Sequence, residues 1–189
     1  GLAFERGARF YGRRMSGDLL PVDEECERAM YEYAIDRLTG AGFEHYEVSN
    51  FARPGQRCQH NEVYWTGRGY HAAGPGAARY VAGRRETNHR SVSTYLKRVL
   101  SGKSPLAESE FLSHEDAARE RLVFALRRLE GVDKRLFAEE TGLDVDQLVG
   151  QAITRFAAAG LLEHTPGHVR LTRAGLLVSD SLWPAFLHA

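Results

Sequence analysis

Apolar residues recur at helical spacing after Asp23: Cys26, Ala29, Met30, Tyr33, Ala34 and Leu38 share one face. Asp23 is placed to cap this helix, and Glu24 and Glu25 suit its positive start. Gly40 and Gly42 end it. FEHYEVSNF, residues 43–51, alternates in part and is rich in strand formers, which predicts one strand. Helix, glycine turn and strand make the αβ step of an α/β fold. Residues 52–92 lose all periodicity and are punctuated by glycine and proline. They still carry Tyr64, Trp65, Tyr70 and Tyr80, which favours a binding surface over a linker. Residues 91–101 predict a short helix with Tyr95, Leu96 and Val99 facing inward, and 102–112 read as a domain boundary.

The pattern changes at Ser113. Residues 114–130 predict an amphipathic helix carrying Ala118, Leu122, Ala125, Leu126 and Leu129. Residues 133–141 form a second helix closed by Gly142, and Asp144 caps a third that runs to Ala159 with Leu148, Ala152, Ile153 and Phe156 inside. LLEHTPGHVRLT, residues 161–172, reads as strand, Pro-Gly turn, strand. Thr172 opens a last helix to about Leu187. Three helices and a hairpin describe a winged-helix-like domain over 113–189, after a first domain over 1–112.

The chain has 189 residues, of which 43% are hydrophobic, enough for a packed core. Lys plus Arg total 25 and Asp plus Glu total 25, so no global basic field exists to draw nucleic acid. Residues 113–189 hold nine cations against eleven carboxylates. The third helix, which would enter a DNA groove, opens on Asp144 and Asp146. Phosphate neutralisation supplies most DNA affinity, so DNA is not an expected partner. Cys26 and Cys58 are the only cysteines, which excludes a disulfide framework and favours a reducing, cytoplasmic setting. Cys26, on the apolar helix face, reads as core.

Candidate chemistry concentrates in Cys58-Gln59-His60-Asn61-Glu62-Val63-Tyr64-Trp65. A neutral imidazole at His60 suits a metal or a heme iron, Asn61 a polar contact, and Tyr64 and Trp65 offer flat faces to a planar ligand. The same residues also suit a loop whose aromatics stitch it to the core. Cys58 and His60 do not make a zinc site, which needs four ligands or three plus water. Cys58 as a nucleophile lacks a visible third group. Tyr70-His71-Ala72-Ala73-Gly74-Pro75-Gly76-Ala77-Ala78-Arg79 lets a backbone approach a ligand, or simply turns beside a strand. It is neither a dinucleotide fingerprint nor a P-loop. Arg79, Arg84, Arg85, Arg90, Lys97 and Arg98 face only Glu86 within 79–98, a patch for carboxylates or phosphates or a plain solvated face.

Together, these strings resemble the heme-chaperone branch of the oxygen-independent coproporphyrinogen III oxidase-like radical SAM family. YEVSNFARPGQRCQHNEVYW, residues 46–65, is similar to that branch's YEISNFA-(K/R)-P-G followed by Cys-x-His-Asn-x-x-Tyr-Trp. GPGA at 74–77, RRETN at 84–88 and the tail follow in the family's order. The resemblance implies the C-terminal part of a partial (β/α) barrel followed by a winged-helix-like domain, with GLAFE at 1–5 as a late barrel strand. It implies heme contact at His60, Asn61, Tyr64 and Trp65, with iron on His60. It also implies S-adenosylmethionine contact at Gly74, Gly76 and Ala78, beside a [4Fe–4S] cluster in the full-length protein. Ala72, Ala78 and Arg79 depart from the family's G-x-G-P-G-A-His-Ser, and the cluster cysteines are absent. The expected partners are heme and heme-accepting proteins, with membrane contact only through an acceptor. The alternative activity in the same family is a coproporphyrinogen III dehydrogenase, and this chain alone should be inactive in radical chemistry.

Overall fold

The computed structural model describes residues 8–187. The expected barrel strand at 1–5 lies outside them. The chain is mixed α and β, and its strands form three small antiparallel sheets among the described residues. A short helix, α1 (Arg9–Met15), precedes α2 (Glu24–Gly40). Asp23 caps α2 by accepting from the Cys26 N–H at 2.9 Å.

The inward face of α2 differs from the expected one. Ile35 is buried and Tyr31 and Leu38 are half-buried, whereas Met30 and Tyr33 are 61% and 69% exposed. Cys26 is an exposed free thiol, not core. The apolar spacing identified a helix, but two apolar stripes compete on it and the packing selected the Tyr31–Ile35 side.

Residues 43–51 do not form one strand. They fold into a hairpin, β1 (Glu44–Glu47) and β2 (Asn50–Ala52), with Glu44 opposite Ala52 and His45 opposite Phe51. Glu47 supplies the reason. Its Oε2 accepts from the Ser49 N–H at 3.0 Å and from Asn50 Nδ2 at 2.6 Å, which pulls the chain into a turn. The stretch after it is also more ordered than its composition suggested. It holds α3 (Gln59–Trp65), β3 (Ala78–Val81) and β4 (Arg84–Asn88). Helix α4 (Val92–Leu100) is present where expected, capped by Ser91, but Leu96 and Val99 lie exposed and not inward. The segment read as a domain boundary contains β5 (Leu106–Phe111), which completes the sheet β3-β4-β5.

Beyond Ser113 the expected helices and hairpin form, together with a two-residue strand at 132–133 that the pattern did not predict. They are α5 (His114–Arg127), β6 (Val132–Asp133), α6 (Lys134–Thr141), α7 (Val145–Ala158), β7 (Leu162–His164) and β8 (His168–Leu171). Gly142 ends α6 at φ +71°, and Asp144 caps α7 through two N–H groups. The sheet order is β6-β8-β7. The last helix is broken into α8 (Arg173–Leu177), α9 (Ser179–Leu182) and α10 (Pro184–Leu187). Proline at the start of α10 cannot continue a preceding helix. Leu122, Leu126, Val145, Ile153, Val169 and Phe186 form the fully buried centre of the main core. Each such side chain contributes roughly 1.5–3 kcal/mol by leaving water. Arg119 is also buried, and its Nη1 donates to the Phe186 carbonyl at 3.1 Å, tying α10 to α5.

Candidate functional site

The HNEVYW string lies on α3, a helix of two turns between the β1–β2 hairpin and the β3-β4-β5 sheet. Residues four apart on a helix share a face. His60 and Tyr64 therefore stand together: Nε2 of His60 is 3.3 Å from the Tyr64 hydroxyl, and the rings meet edge to face at 5.0 Å. His60 is exposed, so its imidazole is accessible. Asn61 is half-buried. Trp65 turns the other way. Only 8% exposed, it packs edge to face on Tyr46 at 5.9 Å and closes a second small core with Ala52. The structure thus joins His60 to Tyr64 and sends Trp65 into the packing beneath.

Tyr64 opens onto a cavity of about 200 Å³ between α3, α5 and the β3-β4-β5 sheet. Tyr70, Tyr80 and Phe124 also line it. Tyr70 and Tyr80 are held opposite one another by reciprocal backbone hydrogen bonds of 2.8 and 3.0 Å. Tyr64 meets Tyr70 edge to face at 4.5 Å. Arg85 donates to Glu120 at 2.5 Å in the cavity wall, which holds the guanidinium firmly protonated. Burial, more than any neighbouring charge, raises the Tyr70 hydroxyl pKa, so it remains a neutral phenol.

Gly74, Gly76 and Ala78 make no described hydrogen bond to His60. Gly74 and Gly76 have φ of +104° and +69°, which explains glycine at both positions. The Gly74 N–H donates to the Tyr95 hydroxyl at 3.2 Å, and the Gly76 N–H to the His89 carbonyl at 3.0 Å. Ala78 starts β3 opposite Thr87. Arg79 is engaged within the sheet. It sits directly opposite Glu86 in the β3–β4 register and pairs with it. Arg85 pairs with Glu110 as well as Glu120, and Arg98 donates to the Ser104 carbonyl at 2.5 Å. Half of the basic run is therefore internally satisfied, while Arg84, Arg90 and Lys97 are exposed.

Residues 112–178 match the family of HemN C-terminal domains. The HemW heme chaperone of Bacillus subtilis is 32% identical over 178 residues, covering 94% of this chain and 47% of that protein. HemW of Lactococcus lactis is 32% identical over 186 residues, covering 98% and 48% respectively. The chain is thus similar to HemW heme chaperones along almost its whole length. It spans about half the length of the HemW proteins it matches. A mitochondrial radical S-adenosyl methionine domain-containing protein 1 from Danio rerio is also 32% identical, over 98% of this chain and 44% of its own length. Among solved structures, the Escherichia coli coproporphyrinogen III oxidase HemN, described as a radical SAM enzyme, superposes with a TM-score of 0.68. That likeness covers 83% of this chain and 40% of HemN at 16% identity, and it establishes a shared fold.

The structure also explains two parts of the HemW-like string that carry no ligand chemistry. Glu47 of YEVSN is fully buried, and its Oε1 accepts from Arg127 Nε at 2.9 Å and Nη2 at 2.6 Å. Tyr46 receives the Cys58 N–H on its hydroxyl at 3.3 Å, which fixes the start of α3. Sequence reasoning missed Tyr70 and Tyr80 as partners of Tyr64. The signal was present as aromatic residues in an irregular stretch, but their convergence depends on the sheet register.

Proposed function

We infer that this chain carries the heme-holding segment of a heme chaperone, a cytoplasmic protein that binds heme and passes it to heme-accepting proteins. Such a protein meets a membrane only through its acceptor. One observation carries the reading. The exposed His60 imidazole stands beside Tyr64, which itself lines an aromatic cavity, on the string that the HemW resemblance rests on. Neutral imidazole is a common iron ligand, and His60 would offer a heme iron the Nε2 that now lies against the Tyr64 hydroxyl. Asn61 borders this face, and Trp65 supports it from beneath. No described helix is long and apolar enough to cross a membrane.

We read residues 1–112 as the C-terminal part of a radical SAM barrel and residues 113–189 as a winged-helix-like domain. The order α5–β6–α6–α7–β7–β8, with sheet order β6-β8-β7, supports the second assignment. A [4Fe–4S] cluster held by this chain alone does not fit its residues, because Cys26 and Cys58 are its only thiols. The cluster belongs, in this reading, to the share of the relatives' length that the chain does not span. Gly74, Gly76 and Ala78 are the proposed S-adenosylmethionine side. The open space beside the Gly74 Cα supports contact there, since the N–H groups of Gly74 and Gly76 are already bonded.

A hemin titration followed by the Soret band tests the chaperone reading. Saturable binding is expected, with the band displaced and weakened in His60→Ala. Equal, unsaturable uptake by both proteins would overturn the reading.

A further inference from the structure

The cavity behind Tyr64 is not accounted for by iron ligation, because His60 does not line it. Its aromatic walls come from four separate places in the chain: α3, the segment after it, β3 and α5. Tyr64 and Tyr70 lie 70° apart and Tyr70 and Tyr80 41° apart, so the rings present edges and faces around a slot. Flat, apolar ligands are held by such surroundings. At about 200 Å³ the space takes one edge of a tetrapyrrole and not the whole macrocycle. The rest of such a ligand would lie outside, over the exposed face of α3 that carries His60.

The polar rim is biased toward cations. The internal charges of the wall cancel as the Arg85–Glu120 pair, and Arg121 at the rim pairs with Glu140. Arg68 is left over: it is exposed, lines the cavity, and pairs with no carboxylate among the described residues. An anionic group on an otherwise flat, apolar ligand matches this combination.

We propose that the Tyr64–Tyr70–Tyr80–Phe124 cavity receives the carboxylate-bearing edge of a tetrapyrrole, with Arg68 pairing to a carboxylate at the mouth. This extends the heme reading above and rests on it for the identity of the macrocycle. It assigns two functions to separate groups. His60 addresses the metal, and the cavity addresses the porphyrin edge whether or not a metal is present. Tyr64 belongs to both.

The test uses this chain with three probes: hemin, metal-free protoporphyrin IX, and its dimethyl ester, which lacks the carboxylates. Arg68→Ala changes an exposed side chain, so the fold is not at risk, and Tyr70→Leu keeps an apolar filler of smaller area. Fluorescence titration should show protoporphyrin IX binding weakened about three- to fivefold by Arg68→Ala, the range of an exposed ion pair. The dimethyl ester should be indifferent to that change. Tyr70→Leu should weaken all three probes by about tenfold, the order of a lost aromatic contact. His60→Ala should alter the hemin spectrum and weaken protoporphyrin IX less than Tyr70→Leu does. Saturable hemin binding that ignores both Arg68→Ala and Tyr70→Leu would overturn the cavity assignment while the chaperone reading stands. Protoporphyrin binding that depends on Arg68, with no effect of His60→Ala on the hemin spectrum, would keep the cavity and remove iron from His60. Absence of saturable binding by any probe would overturn both.

Discussion

His45 shows how one side chain reports its surroundings. Its ring stacks on Phe51 at 4.2 Å, and its Nε2 lies 3.3 Å from the Val48 carbonyl, to which the neutral ring donates. Burial lowers its pKa below the usual histidine value, although nearby Glu47 acts in the opposite direction. The folded state therefore binds this proton less readily than the unfolded chain. Its contribution to stability is complete above about pH 6.5 and is lost as pH falls through that value toward the lower folded pKa. Thermal melts at pH 7.5 and 5.5 should show a lower Tm at the acidic end. His45→Phe, which keeps a ring on Phe51, should reduce that difference; an unchanged difference would place the titration elsewhere. Asp36, Asp133 and Asp146 have lowered pKa values, Asp36 and Asp146 through bonds to Arg173 and Lys134, and titrate well below this window. Trp65 teaches a related lesson. An aromatic beside a candidate ligand looks like part of the ligand's surface in sequence, yet its indole fills the packing under the helix.

Among the elements, helices were legible wherever a capping residue preceded apolar residues at helical spacing. Asp23, Ser113, Asp133, Asp144 and Thr172 each accept backbone N–H groups at a helix start. Helix α3 was not legible because Cys58 makes no side-chain cap and seven residues are too few for a periodic signal. The β1–β2 turn was hidden because a buried carboxylate, and not glycine, closes it. Close approach between elements appears at Gly175 in α8, where a Cβ would lie 1.9 Å from the Leu161 carbonyl oxygen. Neither group can yield without moving α8 away from β7. Gly175→Ala should therefore cost at least about 2–3 kcal/mol and lower the Tm by several degrees. Denaturant unfolding checks this, and a change below about 0.5 kcal/mol would show that α8 slides freely on β7.

At the scale of the whole molecule, the hairpin is joined to the C-terminal half through Glu47 and Arg127, 80 residues apart. The Val48 N–H also donates to the Arg127 carbonyl at 3.0 Å, and the Leu129 N–H to the Tyr46 carbonyl at 3.2 Å. Buried charges are retained when every lone pair is satisfied, as both Glu47 oxygens are. Glu47→Ala leaves Arg127 and Asn50 without their acceptor and should destabilise the fold by about 3 kcal/mol. Because Arg127 is 26% exposed, water recovers part of its hydration, which keeps the loss at the lower end of the buried-pair range. Hydrogen exchange should show the hairpin amides opening first. Uniform loss of protection across the chain would mean that the two halves unfold as one unit.

The sequence by itself determined the capped helix starts, the C-terminal succession of helices and hairpin, and the strings that carry the family resemblance. Those depend on local chemistry: caps, turns and side-chain spacing act within a few residues. Only the tertiary structure decided which face of α2 is buried, that Arg79 is spent on Glu86, and that Tyr64, Tyr70, Tyr80 and Phe124 converge. Each of these depends on strand register or on what packs opposite a surface. Periodicity announces that a face is apolar, but only packing determines what covers it, as the exposed stripe of Val92, Leu96 and Val99 on α4 demonstrates.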